Sequence, residues 1–215
     1  MSIEIKRSVK PVNYIDAIEL LEQRHNKVIN NRSKELIWFL EHNLVYTGGT
    51  SFKESDIIDK KIKVLNTARG GKITCHSPGQ LVCYLVIDLN KREKDIRKFV
   101  LKLEKSIIET FKEFKIKSNS DRKNVGIWIK HNNKRKKIGA IGLKIKKWVT
   151  YHGFAINISN DLSYFKKIVP CGIKDKEVIS LQEISKVDIK KFIEVLKKSL
   201  IKNLSLSNYS SKENF

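Results

Sequence analysis

Cys171 stands between Pro170 and Gly172, a setting that fixes a thiol in a loop and leaves it accessible. A nucleophilic cysteine acts as the thiolate. At an ordinary pKa of about 8.5 only a few per cent is ionised at neutral pH, so a partner must stabilise the anion. Two other segments carry groups that could complete such a site: RGGKITCHSPGQ at 69–80, and KKIGAIGLKIKKWVTYHGFAINIS at 136–159, with Lys137 and His152. Lys137 closes a run of four basic residues from Lys134, which by itself reads as a solvated face. The apolar, glycine-bearing stretch Ile138–Leu143 that follows makes Lys137 the opening residue of a buried strand, free to point inward.

Several other chemistries fit poorly. Gly71-Lys72 does not belong to a nucleotide P-loop, because Asn66 occupies the first glycine position and Ile73 replaces the Ser or Thr. The histidines at 25, 42, 76, 131 and 152 have no ligand spacing, and there is no Cys-x-x-Cys, so no metal is expected. Three widely spaced cysteines make no disulfide framework, and Cys75 and Cys83 read as small buried residues on strands. His76 and His152 read equally well as hydrogen-bonded core residues. Gly70-Gly71 could be a tight turn or a place where backbone closes on a ligand.

Taken in order, Arg69-Gly70-Gly71, Thr74, His76, Pro78-Gly79-Gln80, Lys137-Ile138, His152-Gly153 and Pro170-Cys171-Gly172-Ile173 closely resemble the lipoyl(octanoyl) transferases over roughly residues 44–182. The resemblance implies an acyltransferase that moves an octanoyl group from octanoyl-acyl carrier protein to a lysine of lipoyl domains of 2-oxoacid dehydrogenase and glycine cleavage complexes, with no cofactor. It makes Cys171 the acyl-carrying nucleophile and Lys137 its partner. By position it makes Arg69, Gly70, Gly71, Lys72, Ile73, Thr74, Cys75 and His76 a wall of the acyl pocket. It sets Gly139, Ala140, Ile141, His152, Gly153 and Phe154 against the chain. The sequence departs from the family pattern at Cys75, where a tyrosine is usual, and at Ser77 and Cys83, where glycine is common. The implied fold is α/β, a mainly antiparallel or mixed sheet flanked by helices, as in biotin and lipoate protein ligases. An ATP-dependent ligase of that fold is the nearest rival, and it would need no cysteine nucleophile.

The chain has 215 residues, of which 40% are hydrophobic, enough for one domain with a sizeable core. No apolar run approaches the roughly 18 to 20 residues that span a bilayer, and the N-terminus has no apolar leader. A cytoplasmic protein without membrane contact is expected. The formal charge of +21 invites a nucleic-acid reading. Yet the lysines are dispersed along helices and strand ends, and no nucleic-acid motif accompanies them. A compositional bias would explain the charge, and so would a field that speeds encounter with acidic protein partners.

Periodicity predicts helices over 16–29, 96–114 and 187–202. Strands are expected on both sides of His42-Asn43 within 35–48, over 61–65, and over 81–89, the last apolar on both faces and therefore central. Further strands fall at 125–130, 136–145 and 148–158, the last two joined by a hairpin at Lys146-Lys147. The residues from about 205 to 215 read as a frayed polar tail.

Overall fold

The computed structural model describes residues 3–122, 124–169, 177–206 and 209–214. Ile3–Ser8 forms β1, Tyr14–Ile29 helix α1, Glu35–Leu40 β2, Val45–Gly48 β3, Val64–Asn66 β4, Ile73–His76 β5 and Gln80–Val86 β6. Helix α2 (Ile96–Glu113), β7 (Ser118–Ser120), β8 (Ile127–His131), β9 (Lys134–Lys146), β10 (Val149–Asn157), α3 (Ile189–Asn203) and β11 (Tyr209–Asn214) follow. Eight strands build one mixed sheet in the order β11-β1-β2-β6-β10-β9-β8-β7, and β4-β3-β5 make a small second sheet. This is the mixed, helix-flanked α/β architecture that the sequence implied.

Strand β6 sits fourth in the large sheet and is buried from end to end. Its residues alternate between two cores. Val82, Tyr84 and Val86 pack with Leu36, Trp38 and Leu40 of β2 and with Ala17, Leu21 and Val28 of α1. Leu81, Cys83 and Leu85 pack with Ile37 and Phe39 and with Phe99, Leu103, Phe192 and Leu196 of α2 and α3. A period of two delivers side chains to opposite faces, so a strand apolar on both must be covered on both.

Helix starts are set by side-chain caps. Asn13 accepts from the amides of Ile15 and Asp16, Asp95 from Lys98, and Asp188 from Lys190 and Lys191. Each cap satisfies amides that the helix cannot pair within itself. Helix α1 therefore begins two residues before the expected start.

Three expectations need correction. The β9–β10 hairpin turns at Lys147-Trp148, one residue later than expected; both have positive φ (51° and 62°), the geometry of a type I′ turn. The β8–β9 hairpin turns in the same way at Asn132-Asn133. The strand expected over 61–65 is the shorter β4, displaced toward Asn66. Residues 209–214 of the expected frayed tail form β11, parallel to β1 with Ile3 opposite Tyr209. Backbone amides and carbonyls left open along the outer edge of β1 give that segment its partners, without any apolar periodicity to announce it. Among the described residues no helix is long and apolar enough to cross a membrane.

Candidate active site

A cavity of about 370 Å³ lies between β6, β9 and β10 on one side and residues 69–74 on the other. The 69–72 loop is held over the sheet by backbone bonds: Gly70 N donates to Leu143 O (3.1 Å), while Thr50 and Ser51 amides donate to Arg69 O and Gly71 O (3.0 Å each). The Arg69 guanidinium is buried beneath this loop. Its Nη2 donates to Thr47 O at 2.6 Å and to Thr47 Oγ1 at 2.8 Å, which ties the loop to β3.

Lys137 lines one end of the cavity and is 8% exposed. Its Nζ donates to Val125 O at 2.9 Å and lies 5.3 Å from the centre of the Trp128 ring. The side chain can take this path because residue 126 is glycine. A Cβ there would fall 2.4 Å from Lys137 Cε, and Gly126 has φ 138°, a conformation that L side chains rarely adopt. The Lys137 backbone also bridges to the segment that follows: its amide donates to Glu177 O (2.9 Å), and Ile179 N donates to Lys137 O (3.0 Å). Cys171 lies outside the described residues, as does the whole of 170–176.

The other end is walled by rings. Tyr14, Tyr84, His76 and His152 line it, with His42 immediately behind. His42 Nδ1 donates to Val12 O (2.8 Å), which leaves Nε2 to accept from Tyr84 Oη (2.7 Å). His76 Nδ1 donates to Gln80 Oε1 (2.6 Å), and Gln80 Nε2 donates to Asn157 Oδ1 (2.9 Å). Burial holds the imidazoles neutral: His42 titrates down at about 4, and His76 and His152 at about 3. The positive charge of Arg69 adds to burial for both His76 and His152.

His152 has φ 62° in the middle of β10, a departure that turns its ring toward Tyr84, 6.2 Å away between centroids. The next residue can only be glycine, since a Cβ on Gly153 would stand 1.9 Å from Cys83 O.

Arg69, Gly70, Gly71, Lys72, Ile73, Thr74, His76, Lys137, Gly139, Ala140, Ile141, His152, Gly153 and Phe154 all line this one cavity. Cys75 is the exception. It lies in the small-sheet core, with Tyr46, Phe165 and Ile168, where burial pushes its thiol up to about 12. Tyr14, Tyr84 and Asn157 also line the cavity. They belong to none of the motif segments except, for Asn157, the tail of 136–159. His42 had been visible only as one histidine among five.

The lipoyl protein ligase A/B catalytic domain family matches residues 13–201. An octanoyltransferase from Wolbachia pipientis wMel is 40% identical over 193 residues, 89% of this chain and 94% of that protein. One from Anaplasma phagocytophilum is 42% identical over 205 residues, 94% of this chain and 99% of its own. The bi-partite lipoate protein ligase of Thermoplasma acidophilum has the same fold, with TM-score 0.73 over 99% of this chain and 88% of that one at 13% identity. Agreement of this extent, over nearly the full length of both relatives, leads to one conclusion: the chain belongs to the lipoyl protein ligase A/B catalytic-domain family and, within it, to the octanoyltransferases.

Proposed function

We propose that this octanoyltransferase works through an acyl-thioester on Cys171, with Lys137 as the proton carrier, octanoyl-acyl carrier protein as donor and a lipoyl-domain lysine as acceptor. The Cys171 thiolate attacks the carbonyl carbon of the donor thioester. A new C–S bond forms, the bond to the carrier's sulfur breaks, and the Lys137 ammonium protonates that sulfur. Octanoyl-Cys171 and a neutral Lys137 amine remain. The acceptor amine then attacks the same carbon, Lys137 takes the proton released as the amide forms, and the Cys171 thiolate departs. One amine thus serves as acid in the first half and base in the second. The thioester makes amide formation downhill, so ATP has no part in the cycle. Burial of the acyl methylenes, at about 0.8 kcal/mol each, contributes roughly 5 kcal/mol to holding the chain.

The observation that supports this reading most directly is the inward Lys137. Its amine is buried at the end of an apolar-floored cavity, and its backbone is bonded to Glu177, the residue that follows 170–176. The test is intact-protein mass spectrometry after incubation with octanoyl-acyl carrier protein. Wild type should gain one octanoyl group, Cys171→Ala none, and Lys137→Ala should acylate on the order of a hundredfold more slowly. An adduct that persists in Cys171→Ala, or transfer that requires ATP, would overturn the mechanism.

A further inference from the structure

Strands β8 and β9 do not pair in even steps. Ile127 is opposite Gly139, yet its neighbour Trp128 is opposite Lys137, which makes Ile138 an extra residue in β9. Even pairing would set Ile138 opposite Trp128. The bulge sets Lys137 there instead, and residues directly opposite across two antiparallel strands project from the same face. What this pairing does for the amine rests on the proton-carrier reading of Lys137.

The indole that meets the amine is itself fixed. Trp128 is fully buried, and its Nε1 donates to Asn124 O at 2.9 Å. The next carbonyl along the chain, Val125 O, is the one that accepts from Lys137 Nζ, also at 2.9 Å. One side chain thus bears on the ammonium in two ways. Its face lies 5.3 Å from Nζ, within the range of a cation–π contact, and its N–H holds the loop that carries the acceptor. Asp121 ties the same loop from another side. Its carboxylate accepts from the Asn124 amide (3.3 Å) and from Asn124 Nδ2 (3.0 Å), and it pairs with Arg135 at 2.6 Å. Arg135 in turn lies over the Trp128 ring, 4.8 Å from its centre. The circuit from Trp128 through Asn124, Asp121 and Arg135 back to Trp128 leaves the indole little room to turn.

An amine at the end of a long side chain has many positions open to it, and a proton carrier is useful only at the one within reach of the reacting atoms. We propose that Trp128 is the positioning residue that supplies that place: its face and the loop it holds form a seat to which the Lys137 amine returns after each proton transfer. Leucine or phenylalanine there would fill part of the same volume. Leucine offers neither contact, and phenylalanine offers only the face. Being fully buried, Trp128 acts through Lys137 and not on the substrate.

The experiment follows single-turnover acylation by octanoyl-acyl carrier protein, at a range of donor concentrations, in Trp128→Leu and Trp128→Phe. The maximal rate should fall on the order of thirtyfold in Trp128→Leu and about fivefold in Trp128→Phe. The half-saturating donor concentration should stay within about twofold of wild type, since the substrate meets the same walls. The same substitutions are then made in Lys137→Ala. With the amine gone the seat has nothing to hold, so Lys137→Ala with Trp128→Leu should acylate as Lys137→Ala does, within about twofold. A merely structural defect would instead multiply with the loss of the lysine. Trp128→Phe, the milder change in a packed core, carries the comparison should the leucine variant fold poorly. Loss by the same factor with and without Lys137 would overturn the assignment, as would wild-type acylation by either folded variant. A Lys137→Ala enzyme that acylates as fast as wild type would instead overturn the reading on which it rests.

Discussion

The two ends of the cavity are built on opposite principles. At the Lys137 end a four-carbon side chain carries an amine to the wall, along a path that the lack of a Cβ at Gly126 leaves open, with Nζ bonded to Val125 O and set over the Trp128 ring. At the Tyr84 end the Tyr84 hydroxyl, His42 and His76 are held by short neutral hydrogen bonds, and burial keeps the imidazoles uncharged. A group that must give up and regain a proton needs freedom to re-form its contacts. A surface that only has to fit a hydrocarbon needs none. On the mechanism proposed above, the difference separates chemistry from shape along a single cavity.

Breaking the Lys137 end should have the largest effect. Gly126→Ala puts a methyl against Lys137 Cε at a backbone angle hostile to L residues. Displacing a reacting group by about 1 Å costs on the order of a hundredfold in rate. Octanoyl transfer by Gly126→Ala should fall by about that factor with the fold retained by circular dichroism. A variant with wild-type turnover would show that the path of the side chain is not the constraint.

The rigid end should respond to acid in stability. In the unfolded chain the three imidazoles take up protons below about pH 6.5; in the native state His42 does so only near 4, and His76 and His152 near 3. Between those limits the unfolded state holds more protons. Stability is therefore complete above about 6.5 and declines as pH falls toward 4 and then 3. The urea midpoint should drop between about pH 7 and about pH 5, before most carboxylates protonate. A flat midpoint over that interval would mean that these rings are hydrated in the native state.

Outside the cavity, the +21 charge can be tested for a part in encounter. If it steers acidic partners, kcat/KM for the carrier-linked donor should fall severalfold as salt rises, while kcat stays put. Equal salt response with a small neutral thioester donor would assign the charge to composition alone.

The sequence revealed what a local pattern can encode. Strand β6 was legible as central because both its faces are apolar, and α2 because its apolar residues recur at helical steps. The resemblance grouped residues within 69–76 and 137–154 that, Cys75 apart, line one cavity in the fold. Long-range pairs were hidden. Nothing near His42 in sequence indicates that it meets Tyr84, 42 residues away, or that Val12 anchors it. The β9–β10 turn was expected one residue early, at Lys146-Lys147, because neither Lys147 nor Trp148 favours positive φ; tertiary pairing of β9 with β10 imposes it. Cys75 does not line the cavity, because a motif carried over position by position does not say into which core a strand residue packs.

Strand β11 reaches back some two hundred residues to run beside β1. Closing so long a loop costs entropy before any pairing rewards it, which makes this rung a late arrival in folding. Until it docks, β1 displays an open row of amides and carbonyls, the kind of template on which chains aggregate. The seam between the two strands is thus where a newly made molecule is most exposed to misassociation, and where a finished one would begin to unzip.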